Sequence, residues 1–183
     1  AIRPLLRALY RAEVAGADRI PAAGPCILAA NHESLVDPFV LGLASPRVIH
    51  YLAKAELWRP FVMRQVMKGF GTIRVERGRG DREAMARARA VLEAGEQVGV
   101  FPQGTCIPYR QRPFRRGAAR LALETGVPIV PVCLVGTEHV LRAPSYRAGL
   151  PQVRVLVADP IPVEPAVADS SIVDLPTPHS GQA

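Results

Sequence analysis

Long apolar runs, cysteines and aromatic side chains are all scarce in this 183-residue sequence, and each scarcity removes a class of protein. No stretch approaches the roughly 18 uninterrupted apolar residues of a spanning helix. The first residues also lack the basic, apolar, small-residue order of a signal peptide. The sequence therefore predicts no integral membrane anchor within its own length. Three cysteines, Cys26, Cys106 and Cys133, are too scattered for a disulfide framework or a paired-ligand zinc site. Their pattern points to a reducing compartment and to no metal. Aromatics make up 5% of the residues, too few for the stacking platform that a nucleic-acid binder requires. No Gly-rich phosphate loop or dinucleotide fingerprint stands between a strand and a helix pattern, and no segment repeats.

What is there suits one domain with one sizeable core: 49% of the residues are hydrophobic and 21% charged. The net charge of +7 is unevenly placed. Residues 1–46 hold four basic and four acidic side chains, residues 47–120 sixteen and six, and residues 121–183 three and six. A basic centre suits anionic partners such as phosphates or acidic lipid surfaces. Because 21 of the 23 basic residues are Arg, compositional bias is the competing explanation.

Apolar and polar periodicities divide the chain into alternating strands and helices. In residues 2–11, Ile2, Leu5, Leu6 and Leu9 recur at helical spacing with Arg3, Arg7 and Arg11 on or beside the other face. That amphipathic helix could pack on the core or lie on a membrane. Strands are expected at residues 26–30, 48–53, 72–75, 97–101, within the apolar stretch 127–135, and at 152–157. Helices are expected at 37–43, 58–68, 81–94 and 116–125, the last two stopped by Gly95 and Gly126. Residues 102–115 read as a long loop. The alternation predicts an α/β fold with a mixed, mostly parallel sheet flanked by helices over residues 1–163, and the Pro-rich residues 164–183 read as a flexible tail.

The segment Asn31-His32-Glu33-Ser34-Leu35-Val36-Asp37 joins an expected strand to an expected helix. A turn there can fold Asp37 back onto one ring nitrogen of His32, so that the other takes a proton from a substrate hydroxyl. This is the base and orienter of a hydrolase triad without a protein nucleophile. Read alone, the same two residues also fit a loop histidine followed by a helix-capping aspartate.

This segment resembles the NHxxxxD signature of the lysophosphatidic acid acyltransferase family, and further blocks follow in that family's order. Residues 53–57 (AKAEL) and 71–77 (GTIRVER) are similar to its second block, residues 101–105 (FPQGT) to its third, and residues 127–132 (VPIVPV) to its fourth. The resemblance implies a glycerolipid acyltransferase-like fold. It also implies transfer of a fatty acyl group from acyl-CoA or acyl carrier protein, as co-substrate, to a hydroxyl of a lysophospholipid-like acceptor. His32 would be the general base and Asp37 its orienter, with Asn31, Lys54, Arg77, Phe101, Pro102, Gln103, Gly104 and Thr105 shaping the substrate site. No other cofactor, no metal and no nucleic acid are implied. The expected location is the cytoplasm, peripheral on the inner face of the membrane. Backbone N–H groups near Gly104 and Thr105 are candidate oxyanion donors, or else belong to a structural turn.

The third block departs from the family pattern, with Gln103 where Glu is usual and Cys106 where Arg often follows. Both changes remove a charge that could bind an acceptor. They point to an acceptor other than plain lysophosphatidate. Cys106 also raises a thioesterase alternative with an acylated thiol, and lost activity would leave a non-catalytic lipid-binding module.

Overall fold

The structure, a computed structural model, describes residues 2–54, 61–69, 71–75, 80–104, 114–141 and 149–164. Among them run, in chain order, α1 (Ile2–Leu9), β1 (Glu13–Ala15), β2 (Cys26–Ala30), α2 (Asp37–Leu41), β3 (Ile49–Lys54), α3 (Phe61–Gly69), β4 (Ile73–Val75), α4 (Gly80–Glu93), β5 (Gln97–Val100), α5 (Gly117–Thr125), β6 (Ile129–Val135) and β7 (Arg154–Val157). The strands form one sheet of order β1-β7-β6-β2-β5-β3-β4. Every neighbouring pair is parallel except β6 with β7, so the sheet is mixed and mostly parallel.

β2 lies at the centre because its sequence, CILAA, is apolar on both faces. Cys26, Leu28 and Ala30 face a core shared with Tyr10 beyond α1 and with Val40 and Leu41 of α2. Ile27 faces the opposite core, with Ala88 and Leu92 of α4 and Leu121 and Ala122 of α5. Ala84, Ala88 and Leu92 recur every four residues, which puts a narrow, small-residue stripe of α4 against the sheet. Its outer face carries the ion pairs Arg87–Glu83 and Arg89–Glu93, which are exposed and contribute little to stability.

The expected strands and helices are present within a few residues of their predicted ends wherever they fall on described residues. Residues 58–60 of the expected helix 58–68 lie outside the description, as do 105–113 of the long loop and 165–183 of the expected tail. The sequence reading missed β1. With three residues of alternating exposure it carries no strand pattern of its own, and it exists through its parallel ladder with β7 from near the other end of the chain.

Gly99 in β5 is set by its neighbour. A Cβ built there would lie 2.5 Å from Cε1 of Tyr51 and 2.8 Å from Cγ2 of Ile49, so the Tyr51 ring occupies the space a side chain would fill. Gly99→Ala should therefore overpack this spot and lower stability by about 1–3 kcal/mol. A drop in thermal midpoint with an unchanged circular dichroism spectrum is the expected result.

Candidate active site

Ligands of parallel sheets gather at the carboxyl ends of the strands, and here the ends of β2, β5 and β6 lie side by side. β2 is lengthened by a side chain. Its parallel ladder with β6 pairs Ala30 with Val132, and beyond it Asn31 takes over the pairing. Asn31 Nδ2 donates to the Leu134 carbonyl at 2.9 Å, and the Leu134 N–H donates to Asn31 Oδ1 at 2.7 Å. The amide thus imitates one more peptide unit and fixes where His32 begins.

His32 is held from three directions. From α2, Asp37 Oδ2 accepts the ring Nδ1–H at 2.9 Å, so the contact that the five-residue spacing predicts is formed. The same oxygen accepts the backbone N–H groups of Glu33 and Ser34, each at 2.7 Å, and Asp37 is fully buried. Three donors on one oxygen hold the carboxylate in a single orientation. With the proton on Nδ1, the neutral imidazole carries its lone pair on Nε2. Ser34 is the turn residue its setting suggests: its hydroxyl donates to the Val140 carbonyl and accepts the Val36 N–H at 3.2 Å.

From β5 come the other two contacts. The Phe101 ring stacks on the imidazole at 4.3 Å between centroids and 23° between planes. Gln103 Oε1 accepts the His32 backbone N–H, and the Gln103 side chain is buried, 1% exposed. A tight turn carries both residues, closed by the Gly104 N–H donating to the Phe101 carbonyl at 2.9 Å. The positive φ of Gly104, +71°, is what lets the chain leave that turn. The Gly104 N–H thus belongs to the structural turn, one of the two readings the sequence leaves open, while Thr105 lies outside the described residues. Arg115 joins the turn from the start of α5. Its N–H donates to the Pro102 carbonyl at 2.9 Å, and its guanidinium lies against Gly104, with Nε 3.0 Å from where a Cβ would stand.

Sequence reasoning overlooked Tyr51. Its ring lies 6.0 Å from that of Phe101, 11° from coplanar, and its hydroxyl donates to the Pro38 carbonyl in the first turn of α2 at 2.8 Å. Burial pushes the phenol well above its ordinary titration range, so it stays a neutral donor. The contacts close a circuit from His32 through Phe101, Tyr51, Pro38 and Asp37 back to His32. In sequence, Tyr51 is one apolar residue of a strand; only its register opposite Gly99 makes it a strut.

Of the other sequence-predicted residues, Lys54 ends β3 opposite Val75 of β4. Pro102 sits half-buried in the β5 turn. Arg77 and Thr105 lie outside the described residues, as does Cys106. His50 in β3 bonds through Nδ1 with the Gly71 carbonyl at 2.8 Å. His139 is exposed in the turn after β6.

Fold and site together define an α/β domain that presents a carboxylate-held histidine at the carboxyl edge of its parallel strands. Residues 11–135 match the Acyltransferase family, and the chain belongs to that family. It is 38% identical over 133 residues to a 1-acyl-sn-glycerol-3-phosphate acyltransferase of Borreliella burgdorferi, covering 69% of this chain and 52% of that one. To the chloroplastic enzyme BAT2 of Brassica napus, of the same name, it is 29% identical over 159 residues, 83% of this chain and 45% of the relative. The chain thus spans about half the length of these relatives. It also shares its fold with the crystal structure of the 1-acyl-sn-glycerophosphate acyltransferase PlsC from Thermotoga maritima, with a TM-score of 0.70 and 24% identity over 88% of this chain and 69% of that one.

Asn31→Ala removes both bonds to Leu134 and leaves a partly buried N–H and carbonyl without their partner. The loss should be about 1–3 kcal/mol, read as a lower midpoint in urea unfolding with an unchanged slope.

Proposed function

We propose that the chain catalyses O-acyl transfer from an acyl thioester, carried on coenzyme A or an acyl carrier protein, to a hydroxyl of a lysophosphatidate-like lipid. The observation that carries this reading is the His32–Asp37 pair, fully buried on the carboxylate side and seated at the carboxyl edge of the sheet. The names of the relatives, 1-acyl-sn-glycerol-3-phosphate acyltransferases, support the acceptor class.

The chemistry follows from the geometry. A lipid hydroxyl is a poor nucleophile at neutral pH, and a thioester carbonyl is a good electrophile. His32 Nε2 takes the hydroxyl proton as the oxygen attacks the carbonyl carbon. The imidazolium that forms is stabilised by Asp37 Oδ2 on Nδ1 and by the face of Phe101. When the tetrahedral intermediate collapses, the C–S bond breaks and the departing thiolate receives the proton from Nε2. Attack, proton and leaving group balance without a protein nucleophile.

The same reading places the protein at a lipid surface. On α1, Leu6 packs on the core, whereas Leu5 and Leu9, one turn apart, are 62% and 42% exposed, and Arg7 and Arg11 are also exposed. An apolar pair bordered by cations suits the interface of an anionic bilayer. Among the described residues no helix is long and apolar enough to cross a membrane.

Two measurements test the proposal. With palmitoyl-CoA, palmitoyl carrier protein and a panel of lysophospholipids, wild type should form a diacyl lipid by mass spectrometry. His32→Ala should lower the rate by about 100-fold or more; equal rates would exclude His32 as the base, and free fatty acid as the sole product would favour a thioesterase. Leu5→Glu with Leu9→Glu should weaken co-sedimentation with anionic vesicles by at least about tenfold, and unchanged binding would remove α1 from the membrane contact.

A further inference from the structure

We infer that Gln103 is a positioning residue for the base, not an acceptor-binding one; the inference rests on the acyltransferase reading above. A side chain 1% exposed does not reach a substrate without leaving its place. What Gln103 does reach is the backbone of the catalytic histidine, where Oε1 accepts the His32 N–H. That N–H lies one residue past the point where Asn31 ends the β2 pairing with β6, and it turns toward β5 instead. The β2–β5 ladder has by then ended, at Ala29 with Val100. Gln103 carries the connection between the two strands past their last backbone contact, as Asn31 does toward β6.

The clamp is stiff because its base is. Gln103 is the third residue of a turn closed between Phe101 and Gly104, with Pro102 fixing one dihedral and the Arg115 N–H holding the Pro102 carbonyl. The turn's first residue, Phe101, stacks on the ring whose backbone the third residue holds. Backbone and ring of one histidine are thus both referred to a single four-residue turn at the end of β5. What the position needs is one acceptor oxygen aimed at the His32 N–H, which an amide or a carboxylate can supply.

The test compares wild type, Gln103→Met and Gln103→Glu. Met nearly keeps the shape but loses the strong acceptor oxygen, whereas Glu keeps an acceptor oxygen. Gln103→Met should lower kcat by about 10- to 100-fold and leave the acceptor KM within about twofold, the pattern of a misplaced catalytic group. Gln103→Glu should recover most of the lost kcat. Hydrogen exchange at the His32 amide, followed by NMR, should be slow in wild type and in Gln103→Glu and faster in Gln103→Met. A raised acceptor KM with kcat unchanged would overturn the inference in favour of substrate contact, and unchanged kinetics in Gln103→Met would overturn it outright. Wild-type exchange at His32 as fast as an exposed loop amide would also overturn it, even if the Met variant did not fold. If wild type transfers no acyl group, the functional reading fails, while the exchange experiment still decides whether the clamp exists.

Discussion

One carboxylate oxygen organises the site. Asp37 Oδ2 gathers the His32 ring N–H and the N–H groups of Glu33 and Ser34 inside a fully buried pocket, while Oδ1 has no hydrogen-bond partner among the described residues. The anion is tolerated there because three donors converge on it, and each would lose a charge-assisted bond if it left. Its position at the first residue of α2 ties the helix to the strand-end loop before it, so helix and loop cannot be placed independently. The orientation of the imidazole is thus a by-product of folding the turn.

The remaining constraints reach His32 through β5, whose place in the sheet makes them possible. β5 lies between β2 and β3, so its terminal turn can touch the histidine on one side and the Tyr51 strut on the other. Gly99 is what allows Tyr51 to cross the face of β5 beneath that turn. Tyr51 in turn holds the Pro38 carbonyl, one residue from Asp37. A closed circuit of stacking, hydrogen bonds and a covalent bond resists displacement of any one member, so the imidazole is held in one orientation.

Much of this was legible in the sequence wherever one element decides its own state. β2 is apolar on both faces and had to be central, and α4 shows its Ala84, Ala88, Leu92 stripe. The His32–Asp37 pair was legible because both residues lie in one turn, within reach of local geometry. What could not be read depends on partners distant in the chain. β1 needs β7, 141 residues from Glu13 to Arg154; the Asn31 amide needs Leu134; the Gln103 oxygen needs His32. Gln103 is the plainest case, since nothing local in the sequence shows that its side-chain oxygen accepts a backbone N–H 71 residues away.

The excess of positive charge in residues 47–120 has to be divided the same way before it can speak for an anionic substrate. Arg47 is used at the opposite end of the sheet, where its guanidinium donates to the carbonyls of Pro21, Gly24 and Gly95 and so closes the loops that enter β2 and β5. Arg87, Arg89 and Arg120 each pair with a glutamate one turn away along their own helix. Arg87, Arg89 and Arg120 thus each have a carboxylate beside them, and Arg47 lies away from the carboxyl edge of the sheet. Arg115 differs in kind, because it lies against Gly104 in the turn that touches His32, at the carboxyl edge of the sheet. Charge there is coupled to the positioning of His32.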